Sequence, residues 1–256
     1  MKSFGLIGLV VLLALIGCSG VSDPESERPS AAAADLPAAV ESGVPYELVI
    51  DPADFMGAVD NPYFPLVPGS RWELRGSGEA EGEVDVITVL DDTRVVMGVE
   101  CVVVRDEVSQ DGEPVEITDD WYAQDAAGNV WYFGEETAEY DNGEVVSTAG
   151  SWEAGVDGAQ PGIIMPANPT IGVTYRQEFY AGEAEDMAKV VEVDQQVEVA
   201  AGAFDEVLIT EDWTPLEPDV RERKSYAPGV GLIAELQIVG GDSAFELVDY
   251  ELAEGG

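Results

Sequence analysis

The chain contains no histidine and only two cysteines, Cys18 and Cys101. The first absence removes whole classes of chemistry. No Ser-His-Asp or Cys-His pair can be assembled, no HExxH metalloprotease helix exists, and zinc, copper and haem lose their usual imidazole ligand. Positive charge is scarce as well: 11 Lys and Arg stand against 52 Asp and Glu, a formal net charge of −41. A chain of that charge lacks the basic footprint that nucleic acid requires, and equally the basic patch that adheres to anionic lipid. Its acids are spread along the sequence rather than gathered in a tail, which reads first as a heavily solvated acidic surface. Beyond Lys2 the only lysines are Lys189 and Lys224. The apolar run Phe4–Ile16 is thirteen residues, short of the roughly 20 that a membrane-crossing helix needs.

What the N-terminus does contain is ordered. Lys2 gives a positive start, the apolar run follows, and Gly17-Cys18 closes it with small residues, the layout of a secretory signal peptide. Leu15-Ile16-Gly17-Cys18 resembles the lipobox of bacterial lipoproteins. That resemblance implies cleavage before Cys18, a thioether from Cys18 to diacylglycerol, and a protein held on the outer face of a bacterial membrane, at the cell surface or in the periplasm. Residues 1–17 are then a signal peptide and residues 18–44 an Ala-, Pro-, Ser- and acid-rich tether, too poor in large apolar side chains to fold alone. Residues 45–252 form the single domain to which any function is confined. With Cys18 lipidated, Cys101 has no disulfide partner. Its setting in Val99-Glu100-Cys101-Val102-Val103-Val104 predicts a buried, inert thiol in a strand.

From Tyr46 onward the pattern is β. Val84, Val86, Thr88 and Leu90 alternate along one face, Asp91-Asp92-Thr93 reads as a turn, and a Val-rich strand follows to Val108. Asp111-Gly112 and Asp141-Asn142-Gly143 are hairpin signals, and Asp125–Asn129 is a further turn. Separate strands are expected at 188–193 and 196–199, and the proline-bearing stretch 157–172 is expected as a long irregular loop. Many short strands joined by tight turns predict an all-β antiparallel meander. It must curl to hide its edges, giving an open barrel or barrel-like sheet, with a two-sheet sandwich as the alternative.

The segments 120–125, 128–133, 226–232, 61–66 and 69–72 resemble those of uncharacterised, β-rich secreted or lipoprotein domains of bacteria, a resemblance that carries no activity. Trp121, Trp131, Tyr132 and Tyr180 are candidate ligand-lining residues: aromatics of this density stabilise a sheet by cross-strand pairing, or offer a stacking platform for a sugar or small apolar ligand. Asp119, Asp120, Asp125, Glu185 and Asp186 are the candidate ligands for a hard cation such as calcium, although no EF-hand spacing is present. No catalytic residue can be assigned and no organic cofactor is expected. The leading expectation is a non-enzymatic, membrane-anchored lipoprotein binding a ligand or envelope partner. A carboxylate-dependent envelope hydrolase or carbohydrate-active protein and a calcium-binding envelope protein are the alternatives.

Overall fold

A computed structural model describes Tyr46 and residues 48–254. The lipobox, Cys18, the signal peptide 1–17 and the tether 18–44 lie outside the described residues. The protein is 62% strand and 3% helix. Its strands are β1 (Phe55–Met56), β2 (Arg71–Ser77), β3 (Glu83–Val96), β4 (Val99–Gln110), β5 (Glu113–Asp125), β6 (Val130–Asp141), β7 (Glu144–Ser147), β8 (Trp152–Glu153), β9 (Gln160–Met165), β10 (Thr174–Arg176), β11 (Glu178–Phe179), β12 (Met187–Val199), β13 (Gly202–Trp213), β14 (Arg221–Ala227), β15 (Gly231–Val239) and β16 (Ala244–Glu251). They form one antiparallel sheet in the order β10-β12-β13-β14-β15-β16-β2-β3-β4-β5-β6-β9-β11. The sheet curls into a nearly closed barrel with one unsealed seam, so the curled sheet expected from the sequence forms and the two-sheet sandwich does not.

Closure is achieved by one extended segment that changes partners. Its first half, β10, pairs β12 with Tyr175 opposite Ala188. Its second half, β11, pairs β9 with Glu178 opposite Pro161. Gln177 stands between them, its N–H donating to the Asp186 carbonyl at 2.8 Å. The two edges of the sheet are thus stitched by consecutive residues. At this hand-over Gly162 of β9 lies against the backbone of residues 176 and 177, and a Cβ there would come 2.4 Å from the Gln177 carbonyl carbon.

One end of the barrel is plugged by residues 57–70. Gln124 accepts from the N–H groups of Asp60 (3.0 Å) and Asn61 (2.8 Å). Asn61 Nδ2 donates to Gly128 O (2.9 Å) and Pro166 O (3.2 Å). Phe64 reaches into the barrel and meets Tyr122 edge-on, with ring centroids 5.2 Å apart. Behind it lies an apolar floor that includes Leu74, Val89, Val104, Leu208, Ile233 and Leu247, all at most 3% exposed. Burying side chains of this size is worth about 1.5–3 kcal/mol each, and this layer anchors the barrel.

Three local expectations are corrected. The chain does not turn at 91–93. Strand β3 runs on to Val96 with a shift of register between Val89 and Thr93, and the reversal falls at Met97-Gly98, both at positive φ (50° and 83°), as a tight hairpin turn demands. Residues 188–193 and 196–199 belong to one strand, kinked by register shifts, with Asp194 at φ 55°. The stretch 157–172 is not all loop: residues 160–165 form β9, paired to β6. Pro161 is tolerated because it sits near the strand's start.

If Gly162 is the contact that lets the seam close, Gly162→Val lowers stability by about 3 kcal/mol, a fall of roughly 6–12 °C in melting temperature for a domain of this size. Gly57→Ala, where a Cβ meets nothing within 4 Å, leaves it nearly unchanged. Thermal unfolding followed by circular dichroism reads both, and equal melting temperatures for wild type and Gly162→Val would remove this account of closure.

Candidate functional site

Successive side chains on a strand point to opposite faces, so the register determines what lines the lumen. Asp120 of β5 stands opposite Glu135 of β6, Asp212 of β13 opposite Glu222 of β14, and Lys224 opposite both Thr210 and Glu235. Asp85 and Asp106 enter from β3 and β4, Glu178 from β11, and Asp186 from the residue before β12. These groups meet one another. Lys224 Nζ lies 3.4 Å from Glu235 Oε2, the Tyr132 hydroxyl donates to Asp120, and Gln177 Nε2 donates to Asp212 Oδ2 at 3.2 Å. Asp85, Glu178 and Asp212 are 7%, 7% and 5% exposed. The result is a charged, polar layer inside the barrel, above the apolar floor and toward the end opposite the plug.

Carboxylates packed together out of bulk water resist ionisation, first because burial penalises charge and then because they repel one another. Burial pushes Asp85, Asp120 and Glu178 well above the usual carboxylate range, with repulsion from Asp106, Glu135 and Asp186 respectively adding to it. Burial also raises Glu135 to about 8, Glu222 to about 8 with repulsion from Glu235 adding, and Asp186 to about 6. Repulsion from neighbouring acids adds to burial at both Asp85, beside Asp106, and Glu222, beside Glu235. Lys224 is the cation set among them. Burial opposes its charge, but Glu235, Asp212, Tyr226 and Glu222 outweigh burial and hold the ammonium well above its ordinary value.

At the open end the layer forms a small recess lined by Gln177, Asp186, Asp212, Trp213, Thr214, Val220, Glu222 and Lys224. Its enclosed space has room for about one water molecule. Asp212 Oδ1 in the recess lining, and the Tyr175 hydroxyl outside it, have no hydrogen-bond partner among the described residues. An unmet buried polar group costs about 1–3 kcal/mol.

The aromatics and acids singled out in the sequence do not converge. Tyr132 faces the lumen, stacked on Tyr122 with centroids 4.8 Å apart. Trp121 and Trp131 lie on the other face of the sheet. There the Arg94 guanidinium sits 3.8 Å above the Trp121 ring, and Phe55 packs edge-on against Trp131 at 6.1 Å. Tyr180 is at the seam, bridged to Ala184. Of the acids, Asp120 and Asp186 enter the lumen, whereas Asp119 is gripped by Arg105 through two 2.7 Å contacts. Asp125 holds the turn before β6, accepting from the N–H groups of Ala127 and Asn129 and from the Trp131 indole, each at 2.9 Å. Glu185 accepts from Gly182 N at 2.9 Å. Among the described residues no group of three or more acids or cysteines is placed to hold a metal ion. Cys101 is free and buried, its thiol pushed up to about 12 by burial.

The sequence reading missed Lys224, Asp212, Glu222, Asp106 and Asp85. A signal existed in Val84-Asp85-Val86, where the polar residue takes the face opposite the two valines. Choosing the polar face as the inner one requires knowing that the sheet closes around it.

No family model matches the chain, and no curated protein does. Two solved structures are similar to it. One, from Bacteroides fragilis, is described as an exported protein with a YmcC-like fold; it is 16% identical, covers 74% of this chain and 99% of its own, and gives a TM-score of 0.44. The other, from Parabacteroides distasonis, is described as a lipoprotein; it is 14% identical, covers 75% of this chain and 99% of its own, and gives a TM-score of 0.41.

The lumen carboxyls make the pH dependence of stability run opposite to ordinary acid unfolding. Their pKa values in the folded state lie above those in the unfolded chain, so between about pH 4.5 and 8 the folded protein binds more protons, and stability falls as pH rises. A tenfold difference in one carboxyl's proton affinity between the folded and unfolded chain is worth about 1.4 kcal/mol, roughly 2–4 °C here. The melting temperature is therefore higher at pH 5.5 than at pH 8.5, and Glu222→Gln raises it at pH 8.5 more than at pH 5.5. A melting temperature that climbs with pH would contradict the assignment of these groups to a buried lumen.

Proposed function

We propose that this chain is a lipid-anchored binding protein of the bacterial cell envelope, which captures a small polar solute in the open end of its barrel without chemical turnover. The observation that carries the reading is the layering of the lumen. It has a plug and an apolar floor at one end, and at the other a recess lined by charged side chains with unmet hydrogen-bonding capacity. A purely structural barrel gains nothing from such a layer, since an apolar filling of the same volume is as stable or more so. The lumen's chemistry suits a polar guest better than an apolar one. The outer aromatics are already engaged, Trp121 by Arg94 and Trp131 by Phe55, which weighs against a sugar platform there.

The location rests on Leu15-Ile16-Gly17-Cys18 and the composition of residues 18–44. Two or more acyl chains hold a protein firmly at a membrane where one does not. The tether would keep the barrel clear of the surface.

Expressed in a bacterium, the wild-type chain partitions to membranes, resists extraction by high salt, yields to detergent, and takes up radiolabelled palmitate. Cys18→Ser appears in the soluble fraction without label. Membrane retention of the variant would end the anchor reading. For the barrel, a thermal-shift panel of neutral sugars, amino acids, amines, carboxylates and calcium gives a saturable rise for one class; no rise with any class would end the carrier reading.

A further inference from the structure

We propose that Asn142, at the tip of the β6–β7 hairpin, is a site of spontaneous covalent modification: it closes on the Gly143 nitrogen, loses ammonia and reopens as aspartate and isoaspartate, which frees β7 from the sheet. This goes beyond the binding-protein reading and does not rest on it.

The chain has four asparagines, Asn61, Asn129, Asn142 and Asn168, and three of them are protected. Asn61 and Asn168 precede Pro62 and Pro169, and proline has no backbone N–H to give up. Asn129 precedes the β-branched Val130 and is 6% exposed. Both ends of its amide are held: Nδ2 donates to Asp125 Oδ2 at 2.8 Å, and Oδ1 accepts from Ala167 N at 2.9 Å.

Asn142 has none of these protections. It is exposed and Gly143 follows it. A Cβ at Gly143 would meet nothing within 4 Å, so the space around the reacting nitrogen is open. Asn142 Nδ2 donates to Asp141 Oδ1 at 2.9 Å, in a contact exposed to water. The hairpin is closed by Asp141 opposite Glu144. The two tip residues, at φ 53° and 78°, stand outside the ladder, as in a two-residue hairpin loop. The Gly143 N–H is therefore accessible to hydroxide.

The step balances without an oxidant or a cofactor. The Gly143 nitrogen gives its proton to hydroxide and bonds to the Asn142 Cγ. The Cγ–Nδ2 bond breaks, and that nitrogen takes up a proton and leaves as ammonia. Water then opens the five-membered imide. Cleavage at Cγ gives aspartate. Cleavage at the main-chain carbonyl gives isoaspartate, whose backbone runs through Cβ and Cγ.

The hairpin is built so that this change matters. Isoaspartate lengthens the main chain at a turn that sets the strand register by its length. Strand β7 is four residues long, and among the described residues its strand partner is β6. Val145 and Val146 are 53% and 61% exposed, so burial does little to hold the strand. The new carboxylate also stands between Asp141 and Glu144, and like charges at that spacing repel.

The test holds the full chain, purified in detergent, at physiological temperature and at several pH values, folded and in urea. Peptide mass spectrometry then shows the Asn142 peptide exchanging an amino for a hydroxyl group and dividing into aspartyl and isoaspartyl forms. Its rate rises about tenfold per pH unit, following the deprotonated fraction of a group far below its pKa. The other three asparagines stay intact. Asn142→Gly, which leaves a Gly-Gly pair suited to the same turn, gives an unmodified tip. Hydrogen exchange at residues 144–147 quickens in aged wild type and not in aged Asn142→Gly. Conversion of Asn142 in urea but not in the folded protein would overturn the proposal, because the turn would then shield the residue. Equal conversion at Asn129 would overturn it as well. Conversion with unchanged exchange at 144–147 would overturn the release of β7.

Discussion

The interior of this barrel is organised around one partly buried ammonium, Lys224. Moving a charge out of water costs several kcal/mol even after the surroundings relax, and the carboxyls that share the lumen with Lys224 cannot all be ionised at once. The structure resolves the conflict in two ways. Lys224 neutralises the acids nearest to it, Glu235 at 3.4 Å and Asp212 across the same layer, and their attraction outweighs its own desolvation. The remaining acids, Asp85, Asp120, Glu135, Glu178 and Glu222 among them, are pushed by burial toward their neutral forms. The charge inside the barrel is therefore adjustable, unlike the fixed charge of an ordinary salt bridge.

That interior exists only because the sheet closes. Closure depends on a short segment, 174–179, that pairs first with β12 and then with β9, and on the missing side chain at Gly162, which lets two backbones meet. Tyr46, which donates to the Pro161 carbonyl at 3.1 Å and packs on Phe179 with centroids 5.6 Å apart, covers the stitch from outside. The plug 57–70 closes one end with Phe64 and leaves the other open. Plug and apolar floor close off one end of the curled sheet, and the polar layer lies toward the other.

Much of this is legible in the chain. The hairpins at Asp111-Gly112 and Asn142-Gly143 are marked by residues that tolerate positive φ, and both positions adopt it. The turn at Met97-Gly98 is hidden, because methionine carries no turn signal, while Asp91-Asp92 carries a false one. Strand β9 is hidden by Pro161 within it and Pro166 just after it. The candidate site is legible only at Tyr132, Asp120 and Asp186. Asp119 and Asp120 look alike in sequence, yet one is paired with Arg105 on the outer wall and the other is buried against Tyr132, since adjacent residues on a strand face opposite ways. Glu185 and Asp186 part in the same manner.

What the sequence by itself determined is what composition and local geometry can carry: an antiparallel β fold, the absence of histidine chemistry, a strongly negative net charge, and an N-terminal segment that resembles a lipobox. What the tertiary structure alone decided is which face of the sheet is the inside. Alternation says only that two faces differ, and for most soluble sheets the apolar face turns inward. Here the curl of the sheet brings Asp85, Asp106, Asp120, Glu135, Asp212 and Glu222 into the lumen with Lys224. It also gives Val84, Val86, Trp121 and Trp131 an outer wall of their own. Nothing local distinguishes the two choices. Only closure, which brings strands distant in the chain to a common axis, sets Lys224 among those acids and so gives the barrel its charged interior.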